Sequence, residues 1–210
     1  MVLRKLMGVL MITLIVGAAS LAMAGVPDVN QCSAVRAYVG PEGCVVKCVP
    51  DGSGNPFTAA VKVGGGIVDG TITVYVNDSA GAAIANLPFE DVWIESVGGG
   101  MVACTGGATA DASTDAMGMT QFQTPIQAGG SDLSDTVVKI NGNSIPGTVK
   151  VSYNSPDLNG DGTVNLTDVQ AFANDYYAGS YSFRSDLFFD NIINLSDIPE
   201  IASGIGASCP

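Results

Sequence analysis

The sequence predicts a mostly β protein that ends in a small α module. Three observations carry that prediction. Roughly residues 57–153 form a series of short apolar-alternating segments separated by turn residues. The last quarter of the chain repeats one loop–helix unit at an interval of 29 residues. Charged residues make up 13% of the 210, glycine is plentiful (27), and long helical patterns are few.

The β elements follow in order. Residues 70–76 alternate β-branched and aromatic side chains and run into an Asn77–Gly81 turn. Residues 82–88 and 89–96 read as the next strands, and after the Gly98–Gly100 turn comes 101–104. A turn at 114–118 leads into a strand at 119–124. Residues 136–140, an Asn141-Gly142 turn and residues 148–153 complete the set. Short strands at this spacing suggest a β-sandwich. Residues 25–56 hold three cysteines and could supply the first strand of the sandwich.

The C-terminal unit begins with Asp157. Oxygen-bearing side chains stand at Asp157, Asn159, Asp161, Asn165 and Asp168, which are positions 1, 3, 5, 9 and 12 of a loop with Gly162 at position 6. Position 7, Thr163, offers its backbone carbonyl. Calcium takes six to eight oxygens, and a twelve-residue loop delivers them when alternate residues turn inward. The pattern returns as Asp186, Asp190, Asn194 and Asp197, with Ile192 offering the carbonyl. Seven of 17 residues are identical between 157–173 and 186–202. In the second copy Phe188 replaces an oxygen ligand and Asn191 replaces the glycine. Asn is the residue that best substitutes for Gly in a left-handed conformation. One confident calcium site and a second, weaker one are expected. Calcium would neutralise the acids and fix the loop, so that binding becomes folding energy.

Each loop is followed by an apolar stripe at helical spacing. Leu166, Val169, Phe172, Ala173 and Tyr176 form the first; Leu195, Ile198, Ile201, Ala202 and Ile205 form the second. Pro199 falls early enough for a first helical turn to accept it. Neither unit is large enough to bury its stripe alone, so the two helices are expected to share a core.

Residues 155–210 resemble a type I dockerin repeat. Dockerin loops end in Asp at position 12, as Asp168 and Asp197 do, and lack the entering helix of ordinary EF-hands. The resemblance implies a calcium-folded docking module whose protein partner is cohesin-like, or a segment of this chain or a second copy. Leu166-Thr167 and Leu195-Ser196 stand where cohesin-binding dockerins carry polar pairs. Upstream, residues 76–88 and 114–122 resemble the bacterial immunoglobulin-like domains of invasin-type surface proteins. That resemblance implies an adhesive or spacer module. The expected architecture is therefore an Ig-like β-sandwich (57–153) followed by a dockerin-like calcium domain (154–210).

Residues 1–24 read as a secretory signal peptide. Arg4 and Lys5 precede an apolar run, and Ala22-Met23-Ala24 forms a small-x-small cleavage site. Export makes disulfides the default for Cys32, Cys44, Cys48, Cys104 and Cys209. Cys48 with Cys104 is the expected pair because both flank the same β-region, and the odd count leaves one thiol over.

Composition excludes several functions. With 20 acidic and 8 basic residues the net charge is -12. Such a surface repels nucleic acid and anionic membranes. The chain has no histidine, which removes His-based triads, general bases and metal sites. Glu90, Asp91 and Glu95 surround Trp93, and in a strand Asp91, Trp93 and Glu95 share one face. A solvated sheet face is the simpler reading of that cluster, with sugar stacking as its functional counterpart. No catalytic residue is expected. The expected function is a secreted, non-catalytic, calcium-binding adhesion or docking protein. The alternative is a carbohydrate-binding or scaffold-docked accessory subunit of a polysaccharide-degrading system.

Overall fold

The computed structural model describes residues 25–210; the signal-peptide reading falls on 1–24 and so lies outside the described residues. The described residues are mostly β with two small helices. In chain order the strands are β1 (Ser33–Arg36), β2 (Cys44–Lys47), β3 (Ala60–Lys62), β4 (Ile67–Val68), β5 (Ile72–Tyr75) and β6 (Val92–Ser96). They continue as β7 (Met101–Ala103), β8 (Met119–Phe122), β9 (Ala128–Gly130), β10 (Thr136–Ile140), β11 (Asn143–Ser144) and β12 (Val151–Asn154). Helices α1 (Leu166–Ala178) and α2 (Ile198–Gly204) follow.

The strands form four small sheets, ordered β1-β5-β8, β11-β10-β6, β12-β2-β3-β4 and β7-β9. All share one apolar core. Val46, Ile72, Val74, Val92, Ile94, Phe122, Val138, Ile140 and Tyr153 are buried in it, and the Phe57 ring meets those of Phe122 and Tyr153 at 6.4 Å. The two-residue period explains the inward set. In β6, Val92, Ile94 and Ser96 point in, while Trp93 and Glu95 face outward. Tyr153 keeps its hydroxyl satisfied in this dry interior through Thr136 Oγ1, 2.7 Å away.

Most pairs are antiparallel, but β12 runs parallel to β2, with Val151 opposite Cys44 and Asn154 opposite Lys47. This pairing matters for the C-terminal unit, because β12, the end strand of its sheet, delivers the chain to Asp157.

Three sequence expectations need correcting. Residues 82–88 form no strand; they contribute a single Ala83–Asn77 bridge. Asn86 adopts φ 60° and Pro88 has no N–H to give to a ladder, so Ile84 and Leu87 are buried from a loop instead. Phe89–Asp91 is a 3-10 turn, and the strand starts at Val92. The expected Cys48–Cys104 pair does not form: Cys104 is bonded to Cys209, with Cα atoms 5.5 Å apart. Cys32, Cys44 and Cys48 are buried free thiols. Burial pushes the Cys48 thiol up to about 12, and its Sγ donates to the Asn154 carbonyl.

Candidate functional site: two matched loops after β12

The first loop grows out of the β region. The Gly130 N–H donates to the Asp157 carbonyl at 2.7 Å. The Asp157 carboxylate lies so close to Gly129 that a Cβ there would collide with it. A glycine at 129 is therefore a condition for burying this acid. Asp157 and Asp168 are both fully buried. Asp157 accepts N–H groups from Gly160 (2.9 Å), Asp161 (3.2 Å) and Gly162 (2.9 Å). Asp168 accepts those of Asn159 (3.2 Å) and Asn165 (2.9 Å). Gly160 and Gly162 take φ of 71° and 84°, the left-handed conformation that glycine adopts at least cost.

The last ligand positions also start the helix. Asn165 Oδ1 accepts the Thr167 N–H at 2.8 Å while Asp168 Oδ2 accepts the Asn165 N–H. The two residues are thus a capping box for α1. α1 ends on Gly179 at φ 68°.

The second loop repeats this geometry. Phe189 and Asn191 take φ of 61° and 66°, matching Gly160 and Gly162. Asp186 accepts N–H groups from Asp190 and Asn191, and Asp197 accepts that of Asn194, as Asp168 does that of Asn165. Asn194 Oδ1 accepts the Ser196 N–H at 2.7 Å. The left-handed Asn191 expected from the sequence is present. Phe189, a bulky residue with positive φ, was not expected, and such a residue is held there only by its surroundings.

The two loops are not equivalent as cation sites. Loop one offers oxygen at Asn159 and Asp161, both exposed, at the buried Asp157 and Asp168, at Asn165, and at the Thr163 carbonyl. Its donor set is all oxygen, which fits a hard cation. Burial pushes the Asp157 carboxyl above its usual range, and the charges of Asp168 and Asp161 push the same way against the Gly162 N–H. The ion pairs of the described residues are Lys47–Glu200, Lys139–Glu95 and Arg184–Asp175, so none reaches either loop's ligands. Among the described residues no three acidic or thiol side chains converge into a ready-made metal cluster; the loop acids are turned toward the loop's own N–H groups. In loop two the third position is Phe188, half exposed and without a donor atom. Tyr181, which the sequence reading passed over, donates its hydroxyl to Asp186 Oδ2 at 2.9 Å.

Several contacts bind this unit to the β region. Asn154, buried at the end of β12, donates to the carbonyls of Phe183 (2.8 Å) and Asp186 (3.0 Å). Lys47 of β2 pairs with Glu200 of α2. The tail returns to loop one: Val164 N–H donates to Ala207, Gly206 N–H to Val164, and Cys209 N–H to Gly162, each at 2.9 Å. Val164 is fully buried with Val49 and Ala207.

The two stripes share a core, but a small one: Leu158, Phe172, Leu187 and Ile201. The rest of the apolar face stays open. Val169, Phe172, Ala173, Tyr176 and Tyr177 of α1 face Leu195, Ile198, Ile201, Ala202 and Ile205 across a groove of about 370 Å³. Leu166, Tyr177 and Leu195 are 77%, 84% and 69% exposed. The Glu90, Asp91 and Trp93 cluster holds no pocket chemistry of its own. The Trp93 indole N–H is engaged by Glu95 at 2.9 Å, and Lys139 lies 3.5 Å from the same carboxylate. Among the described residues no helix is long and apolar enough to cross a membrane.

No protein-family model matches the chain, and no curated protein matches it. Among solved structures, the crystal structure of the Lin-41 filamin domain is similar at 17% identity, covering 60% of this chain and 95% of that one, with a TM-score of 0.28. A score that low bears on neither fold nor function.

Proposed function

We propose that this is a secreted, non-catalytic docking or adhesion protein. Its β-sandwich carries a dockerin-like C-terminal module, and calcium at loop one completes that module's fold. The observation that carries this reading is the pair of fully buried acids Asp157 and Asp168 with no basic partner among the described residues. A buried carboxylate must be compensated by hydrogen bonds, a proton, an ion pair or a metal, because an isolated charge in a dry site is costly. What supports a metal at loop one is the oxygen at positions 1, 3, 5, 9 and 12. Calcium would supply the positive charge that the loop lacks. Asp157, Asn159, Asp161, Asn165, Asp168 and the Thr163 carbonyl would hold it, and the shared capping box would pass the loop's order on to α1. The open groove between α1 and α2 then serves as the docking face, for a cohesin-like partner or a second copy of the chain. Exposed apolar faces of this kind mark interaction sites.

Calcium titration by calorimetry on the chain from residue 25, with melts in EDTA and in calcium, tests the reading. Saturable binding with a raised melting temperature is expected. A melt indifferent to calcium overturns it.

A carbohydrate-binding accessory role is the second reading. Tyr177 is 84% exposed and packs edge-on against Tyr176, with centroids 5.4 Å apart. Such a platform suits sugar stacking. A glycan array that stays blank, or one whose signal survives Tyr177→Ala and Trp93→Ala, removes it.

A further inference from the structure

Loop two repeats the backbone turn of loop one but differs from it in three places. Position 3 is Phe188, whose ring is half exposed and carries no oxygen. Asp186 Oδ2 takes two donors, the Tyr181 hydroxyl and the Asn191 N–H, each at 2.9 Å. In loop one the corresponding acid, Asp157, accepts only from N–H groups of its own loop. The other buried acid of loop two is also more fully occupied than its counterpart. Asp197 accepts three N–H groups, from Leu187, Phe188 and Asn194; Asp168 accepts two, from Asn159 and Asn165.

We infer that the chain takes one calcium, at loop one, while loop two is closed without metal by the Tyr181 hydroxyl bonded to Asp186. This rests on the calcium reading of loop one. The physical logic is one of competing donors. A cation entering loop two must break a side-chain hydrogen bond to a carboxylate, which is stronger than one between neutral groups, and it gains one oxygen fewer than in loop one. Phe189 at positive φ fits the same picture, since the loop's shape is held by packing and hydrogen bonds rather than by an intrinsically favourable backbone. The consequence for docking is asymmetric. The α2 wall of the groove is formed whether or not calcium is present, and only the α1 wall answers to it.

The test uses calcium alone as the probe, on the chain from residue 25, with a matched pair of variants at exposed fifth positions, Asp161→Ala and Asp190→Ala. Both residues are exposed, so neither change threatens the core. The expected stoichiometry is one. Asp161→Ala should weaken binding at least tenfold, and Asp190→Ala should leave the affinity within about twofold. Tyr181→Phe should lower the melting temperature equally in EDTA and in calcium. A stoichiometry of two overturns the inference but leaves the calcium reading standing, as does loss of half the binding in Asp190→Ala. A single site abolished by Asp190→Ala and not by Asp161→Ala overturns the inference too. No binding at all overturns the calcium reading and this inference with it.

Discussion

The β region and the C-terminal unit are stabilised by different means. The β region surrounds one continuous apolar core whose largest members, Tyr153, Phe57 and Phe122, are almost fully buried. The C-terminal unit has a main cluster of four buried apolar residues, with Val164 and Ala207 in a second, and four aspartates, Asp157, Asp168, Asp186 and Asp197, are buried in the same unit. One region is held by area removed from water. The other is held by hydrogen bonds to buried charge, by a disulfide and by contacts borrowed from its neighbour. The second region is therefore conditional: ions, reductant and pH should act on local opening there, and on the shared unfolding only through it.

The largest effect should come from the β core. Phe57→Ala is expected to cost about 3–5 kcal/mol, read by urea unfolding. Because Asn154, Lys47–Glu200 and Cys104–Cys209 span the two regions, both should unfold in a single transition. Two separated transitions would break the idea of a shared foundation. Next comes the covalent link. Cys209→Ser opens a closure spanning 105 residues and should cost about 2–4 kcal/mol. The loss should fall on the tail, with faster amide exchange at Val164 and Gly206 and little change in β5 or β10. Third is calcium, which should stabilise by about 2.7 kcal/mol at a hundredfold excess over its dissociation constant. Exchange should slow in loop one and α1, and slowing that reached only the β strands would reverse the comparison.

The smallest effect concerns pH. The Arg184 guanidinium, bonded to Asp175 through Nε (2.7 Å) and Nη2 (2.8 Å), holds that carboxyl at about 2, helped by Ser185. A depressed carboxylate contributes stability that is present above its unfolded value of 3.8 and disappears as pH falls toward about 2. Asp175→Asn should therefore cost about 1–2 kcal/mol at neutral pH, and the gap to wild type should close across that acid window. A gap that stayed constant down to pH 2 would mean the pair contributes by shape alone.

How far the sequence could be read depended on how local each feature was. The turn of loop one and the helix α1 were legible because their determinants lie within about 20 residues: a glycine at position 6 and an Asn165–Asp168 pair that caps the helix. Residues 72–75, 92–96 and 136–140 were legible from alternation. Residues 82–88 misled because Ile84 and Leu87 are buried without belonging to a ladder. The Cys104–Cys209 pair was hidden because it depends on the tail folding back along Gly162–Val164, and no spacing rule encodes that. The Gly129-Gly130 contact with Asp157 was hidden for the same reason. The stripes of α1 and α2 were read correctly as apolar, but apolar does not mean covered. Phe172 and Ile201 are buried in the shared core and Val169 packs against it, while most of both stripes lines an open groove. Tyr181 was overlooked although it lies five residues before Asp186, because a tyrosine before an acidic loop carries no motif.

The tail that returns to loop one has a mechanical meaning. A partner seated between α1 and α2 would pull on the last stretch of the chain. Cys209 is bonded to Cys104 just past β7. Tension on the helices therefore reaches the β region by two routes, through β12 at one end and through sulfur at the other. A module anchored on both sides cannot be unzipped from either one alone. It must be sheared as a block, and shearing loads many bonds at once where peeling loads them singly.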